Sequence, residues 1–148
     1  MPKKPTKRKK LPTIPKLKKK VWKVMSLYIR LRDSDEDDMC TCCTCGVRKP
    51  YKEMHAGHYI PKSLGLWIMF HEENTHAQCP GCNLFKHGNL HEYALFLEEK
   101  YGKRILQELS DIRNLPPMGT ADARAFLLEN LAHFTAQLIV EKIRHLIT

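Results

Sequence analysis

The chain has 148 residues, 28% of them charged, and a formal net charge of +9. That length fits one domain with a real core and leaves little room for a second independent one, and no apolar run reaches the roughly 20 residues of a membrane span. The lysine-rich start does not resemble a secretory leader, so the six cysteines are expected as thiols or metal ligands in a reducing cytoplasm, not as a disulfide framework.

Charge is unevenly spread. Residues 1–32 hold 13 Lys and Arg and no acid, whereas the remaining 116 residues carry 12 basic and 16 acidic side chains. The segment 1–20 is rich in Lys and interrupted by Pro2, Pro5, Pro12 and Pro15, which disfavours both helix and packed core. It is expected as a disordered basic arm. Its cations, Lys3, Lys4, Lys7, Arg8, Lys9, Lys10, Lys18, Lys19 and Lys20, suit a polyanion such as DNA. The plainer alternative is a solubilising tail.

From Val21 to Leu31 apolar residues recur at helical spacing (Val21, Val24, Met25, Tyr28, Leu31), which predicts a short amphipathic helix. The acidic run Asp33 to Asp38 follows and reads as a solvated connector. Next come two overlapping Cys-x-x-Cys registers, Cys40 with Cys43 and Cys42 with Cys45. The second is favoured because Gly46 follows it, as a tight metal knuckle requires. Cys79-Pro80-Gly81-Cys82 supplies another such turn, and two turns complete a tetrahedral four-thiolate zinc site.

The insert between the pairs must be folded. Apolar and aromatic stretches at 55–60 and 66–71, broken by Pro61 to Gly65, predict two short antiparallel strands. Asn74 lies in the loop after them, and a helical piece is expected to start near Asn83. Residues 90–101 and 103–113 read as two helices separated at Gly102. Pro116-Pro117 enforces a loop, and residues 120–148 form one amphipathic helix about 40 Å long. Its apolar stripe has two readings, packing on the earlier helices or pairing with a second copy of the chain. The organisation expected is thus an arm at 1–20, a zinc-containing core at 21–113 and a C-terminal helix region at 114–148.

His58, Asn74 and Asn83, in that order and with a knuckle before the last, match the signature positions of HNH nucleases. The chain resembles the phage NinG family, also called Rap, of recombination endonucleases. The matching stretches are Tyr28-Ile29-Arg30-Leu31-Arg32-Asp33, Cys42-x-x-Cys45-Gly46, Ala56-Gly57-His58-Tyr59, Asn74-x-His76-x-Gln78-Cys79-x-x-Cys82-Asn83, Gly88-Asn89, Tyr93 and Tyr101-Gly102. The combination is more specific than any one motif. The resemblance implies an α+β fold, a zinc-stapled ββα-metal core flanked by helices. It also implies a phage- or prophage-encoded enzyme in the bacterial cytoplasm that uses Mg2+ or Mn2+ to cut branched DNA, such as Holliday junctions or displacement loops.

Within that frame His58 is the expected general base, because imidazole accepts a proton near neutral pH. Asn74 or a backbone carbonyl would orient its other nitrogen. Asn83 would offer a hard carbonyl oxygen to the catalytic cation, with His87 four residues on sharing its helical face and Lys86 touching a phosphate. The common HNH pattern has an Asp or His immediately before the base. This chain has Gly57 there; either His55 substitutes as the ligand, or Asn83 holds the ion with phosphate oxygens and water supplying the rest. Two alternatives stand beside the branched-DNA nuclease: an HNH enzyme of restriction or homing type, and a zinc-containing DNA-binding module without catalysis.

Overall fold

The computed structural model describes residues 10–147; Lys3, Lys4, Lys7, Arg8 and Lys9 of the expected arm lie outside them. The first helix, α1 (Ile14–Arg32), begins seven residues before the amphipathic stretch at Val21, with Pro15 in its opening turn. Proline is harmless there because the first N–H groups of a helix have no intrahelical partner. Leu17 is buried one turn later against the main core. The expectation of disorder through Lys20 is therefore corrected: Lys18, Lys19 and Lys20 stand on a helix, and of the described arm lysines only Lys10 precedes it.

Two small antiparallel sheets follow. Strands β1 (Met39–Thr41) and β2 (Arg48–Pro50) make the hairpin that carries the first cysteine pair. Strand β3 (His55–His58) pairs with β4 (Thr75–Gln78), with His55 opposite Gln78 and His58 opposite Thr75. The second strand is thus not the apolar stretch at 66–71. That stretch forms a one-turn helix, α2 (Leu66–Met69), inside the loop joining β3 to β4. Strand β4 lacks the apolar alternation that marks a half-exposed strand, because all four of its residues are buried.

A single wide helical turn (Gly81–Phe85) follows the second cysteine pair. Beyond it lie α3 (Leu90–Tyr101), α4 (Ile105–Arg113) and α5 (Thr120–Ile147), close to the helices expected from periodicity. Helix α5 lies along α1: Leu127 and Phe134 join Leu17, Val21, Met25 and Tyr28 in the largest apolar cluster. The apolar stripe of α5 therefore packs, at least on this side, against its own chain. A second cluster joins Ile68 of α2 to α3 and α4 through Tyr93, Leu97, Ile105 and Leu109. No helix among the described residues is long and apolar enough to cross a membrane.

The end of α1 grips β4. Asp33 accepts the Ala77 N–H at 2.7 Å and is itself held by Arg32, whose Nη2 donates to the Thr75 carbonyl at 2.9 Å. The acidic run is likewise engaged, Asp35 pairing with Arg48 and Asp38 with His145 of α5 at 2.9 Å.

If α5 is fixed by its Leu127 side, Leu127→Ala is expected to cost about 2–5 kcal/mol. Its neighbour Leu128, 44% exposed, should change stability by no more than about 0.5 kcal/mol when replaced by Ala. Urea unfolding of the two variants checks the contrast.

Candidate functional site

The four cysteines favoured by the sequence come together. The ligand atoms of Cys42, Cys45, Cys79 and Cys82 all lie within 4.8 Å of one another, and the Cys45 and Cys79 sulfurs are 3.7 Å apart. A tetrahedron with bonds of about 2.3 Å to sulfur has edges of about 3.8 Å, so the set fits one zinc ion. Backbone N–H groups point at the sulfurs, from Cys79 to Cys42 Sγ at 3.3 Å and from Cys82 to Cys79 Sγ at 3.4 Å. Burial pushes the Cys42 thiol up, but hydrogen bonds from the Cys79 N–H, Thr44 and the Cys45 N–H outweigh it and hold the group down at about 6, favouring the thiolate that binds metal; burial pushes Cys45 and Cys79 up. Cys40 and Cys43 take other roles: Cys40 donates to the Arg30 carbonyl at 3.1 Å, and Cys43 packs in the α3–α4 cluster.

The knuckle sets the next residue. The Asn83 N–H bonds to the Cys79 carbonyl at 2.9 Å, which fixes the start of the turn beside β3. Asn83 Nδ2 donates to His55 Nδ1 at 2.9 Å. With the amide so oriented, Oδ1 faces Gly57, where an added Cβ would lie 3.2 Å from it. The same Cβ would collide with Gln78 Oε1. Gln78 is fully buried; its Nε2 donates to the Gly88 carbonyl at 2.7 Å and the Thr44 hydroxyl at 3.1 Å, and its Oε1 has no partner among the described residues. Two amide oxygens, one of them orphaned, lie beside the Gly57 Cα, where the missing side chain lets them approach. Neutral hard oxygens of this kind fit a cation such as Mg2+ or Mn2+.

His58 lies at the other end of β3. Its Nε2 is 2.8 Å from the Met69 carbonyl, and since a carbonyl only accepts, Nε2 carries the proton and Nδ1 keeps its lone pair. The orienting acceptor is thus the end of α2, not Asn74. The ring lies against Trp22 with centroids 4.8 Å apart and planes 32° apart. Burial pushes His58 down to about 4; the Met69 hydrogen bond opposes it, and the nearby Lys62 cation adds a smaller push downward. Asn74 is fully buried and closes the loop around α2: Oδ1 accepts from the Ile60 N–H at 2.8 Å, and Nδ2 donates to the carbonyls of Ile60 and Ile68.

Another sequence expectation changes. The turn that starts at Gly81 ends at Phe85, and His87 sits past it, exposed, at φ 50°. It therefore does not share a helical face with Asn83. His55 stands beside Asn83, its Nδ1 2.9 Å from the amide nitrogen. Lys86 is exposed at the end of the turn. His76 behaves as a buried linker between Tyr101 at 2.8 Å and Tyr93 at 3.3 Å.

What the sequence reading missed is the surface around His58. Lys18, Lys19 and Lys62 line one depression, and Arg30, Lys52, His55 and Asn83 line the next. Trp22 and Lys62 belong to both, and no acidic side chain among the described residues lines either. The result is a basic trough along α1 to Asn83, with His58 packed behind two residues that line it, Trp22 and Met69. The signal was present as Lys18, Trp22, Ser26 and Arg30, four residues apart on one helix face.

A family model described as "Bacteriophage Lambda NinG protein" matches residues 2–136. Among curated proteins, "Protein ninG" of Salmonella phage P22 is 30% identical over 111 residues, 75% of this chain and 52% of that protein. Those of Escherichia phage lambda (31%, covering 65% and 45%) and Escherichia phage 933W (30%, covering 72% and 51%) are similar. The chain spans about half the length of the curated relatives it matches. No solved structure matches.

Two outcomes follow from this geometry. Because His58 binds its proton more weakly folded than unfolded, stability is full above about pH 6.5 and falls as pH drops through the window down to about 4; His76, pushed down by burial to about 3, acts in the same sense. Imidazole proton NMR against pH should give a His58 midpoint near 4. Gly57→Ala, whose methyl meets an anchored buried amide, is expected to lose about 1–3 kcal/mol in chemical denaturation.

Proposed function

The chain belongs to the phage NinG family, and we propose that it is a metal-dependent endonuclease hydrolysing phosphodiester bonds in branched DNA recombination intermediates. In this reading Cys42, Cys45, Cys79 and Cys82 hold a structural Zn2+, and Asn83 binds Mg2+ or Mn2+ at the reacting phosphate. The order β3, β4 and the Gly81–Phe85 turn, stapled by four thiolates, supports a ββα-metal core of the HNH kind.

The observation that carries the reading is the setting of His58. Its Nε2 is committed to the Met69 carbonyl, so the ring is fixed with Nδ1 as the free base, against Trp22, which lines a trough that has no acidic side chain among the described residues. Arg30, Lys52 and Lys62 can hold phosphates of a nucleic-acid backbone there. Lys18 and Lys19 continue the track along α1, and Trp22 presents an aromatic edge beside the base.

Hydrolysis follows from those groups. Nδ1 of His58 takes a proton from water as the water oxygen bonds to phosphorus. The bond from phosphorus to the departing ester oxygen breaks, and that oxygen leaves with the electron pair and is protonated by solvent. A divalent ion, when bound, supplies positive charge beside the departing oxygen. A base at about 4 is fully unprotonated at neutral pH but weak. A phosphate entering the trough raises its proton affinity by adding negative charge and offsetting Lys62. The same desolvation that weakens the free imidazole therefore makes it responsive to substrate.

Zinc-loaded protein is expected to cut a four-way junction or a displacement loop in Mg2+ or Mn2+ in preference to matched linear duplex. His58→Ala should lower the rate at least 100-fold with zinc content and DNA affinity retained. The acid limb of kcat/KM, which reports the free protein, should fall well below pH 6.5. Equal cutting of linear duplex would favour a restriction or homing task. Binding by both proteins without cleavage under any cation would replace the nuclease with a DNA-binding module, and loss of binding above about 0.3 M salt would then be its signature.

A further inference from the structure

The position before His58 poses a chemical question, because Gly57 has no side chain to offer a cation. The neighbouring strand answers it. Gln78, directly opposite His55 in the β3–β4 register, sends its amide toward the space where a residue 57 side chain would stand. Its orientation is not free: Nε2 must donate, since the Gly88 oxygen 2.7 Å away is a carbonyl that only accepts. Rotating the amide would set two carbonyl oxygens against each other. Oε1 is consequently held toward Gly57, buried and without a hydrogen-bond partner among the described residues.

An unpaired buried carbonyl costs stability, and here it faces a second carbonyl oxygen, Asn83 Oδ1, across the same gap. Asn83 places its nitrogen 2.9 Å from His55 Nδ1. Two amides from different segments thus set their oxygens beside one point, the place a residue 57 Cβ would take. Converging oxygens without a donor between them are what a hard cation needs.

We infer that Gln78 is a ligand of the divalent cation, supplying through Oε1 the oxygen that the chain lacks at Gly57 and sharing the ion with Asn83 Oδ1. Gly57 is then required as an empty position: any larger residue would displace the Gln78 oxygen. The inference rests on the proposed cation chemistry at Asn83 and adds a ligand from β4 to it.

The test uses zinc-loaded full chain with carbonyl-13C-labelled Gln and Asn side chains, titrated with Mg2+. The Gln78 Cδ and Asn83 Cγ resonances are expected to move together on one saturation curve. Movement at Asn83 alone, or at neither, overturns the inference, and a water in the gap gives that second result. By Mn2+ electron paramagnetic resonance, Gln78→Met should weaken binding at least ten-fold with zinc stoichiometry unchanged, and Gln78→Glu, which restores an oxygen, should recover it. Unchanged Mn2+ affinity in a folded Gln78→Met protein overturns the inference. Since the Met side chain also abandons the Thr44 and Gly88 hydrogen bonds, the wild-type titration decides if that variant does not fold. DNA cleavage without a Gln78 response sinks this ligand and spares the nuclease reading, whereas co-titration without cleavage of any DNA keeps the ligand and sinks the nuclease.

Discussion

Four buried residues in β4 set the terms for everything around them. Thr75, His76 and Gln78 are polar, yet each is 0% exposed, and burying such groups without partners would cost several kcal/mol in total. The chain meets this with contacts from every direction. On one edge β3 supplies the ladder, and on the other Arg32, Asp33 and the Cys43 N–H take the backbone groups of Thr75 and Ala77. Thr75 donates back to His71, His76 reaches Tyr93 and Tyr101, and Gln78 reaches Thr44 and Gly88. The end of α1, the cysteine hairpin and α3 are each drawn to this strand by a specific hydrogen bond.

That convergence explains how a small core can hold a precise arrangement. Hydrophobic contact between α1 and α5 supplies bulk burial, but it does not by itself fix the register of β3 against β4. The polar contacts do, because a one-residue slip would strand several buried groups at once. The four-cysteine set then ties the two ends of the insert together, Cys42 and Cys45 on the first hairpin and Cys79 and Cys82 directly after β4. Asn83 inherits its position from that knuckle through the Cys79 carbonyl, and His58 inherits its orientation from α2 through Met69. Metal staple and catalytic candidates are thus parts of one framework. Tyr93 reinforces it by donating to the Gly57 carbonyl at 2.7 Å, at the residue between the two groups of the site.

The sequence was legible where information is local. Cysteine spacing with Gly46 distinguished the correct pair from the overlapping one, because a knuckle is a short-range turn. Apolar periodicity gave α3, α4 and α5 nearly to the residue. Local rules failed at β4, where polar residues are buried by distant partners, and at 66–71, where an apolar run proved to be a short helix in a loop. They also failed at Pro15, which breaks a helix interior but fits its first turn.

Only the tertiary structure decided which groups face each other. Which acceptor orients His58, the basic trough shared by Trp22 and Lys62 and the way the Gln78 amide is turned all depend on residues ten or more positions apart in the chain. A sequence specifies turns, periodicities and ligand spacings through interactions along the chain. The pairing of buried polar atoms is set by the cost of leaving one without a partner in three dimensions, and that cost has no signature at any single position.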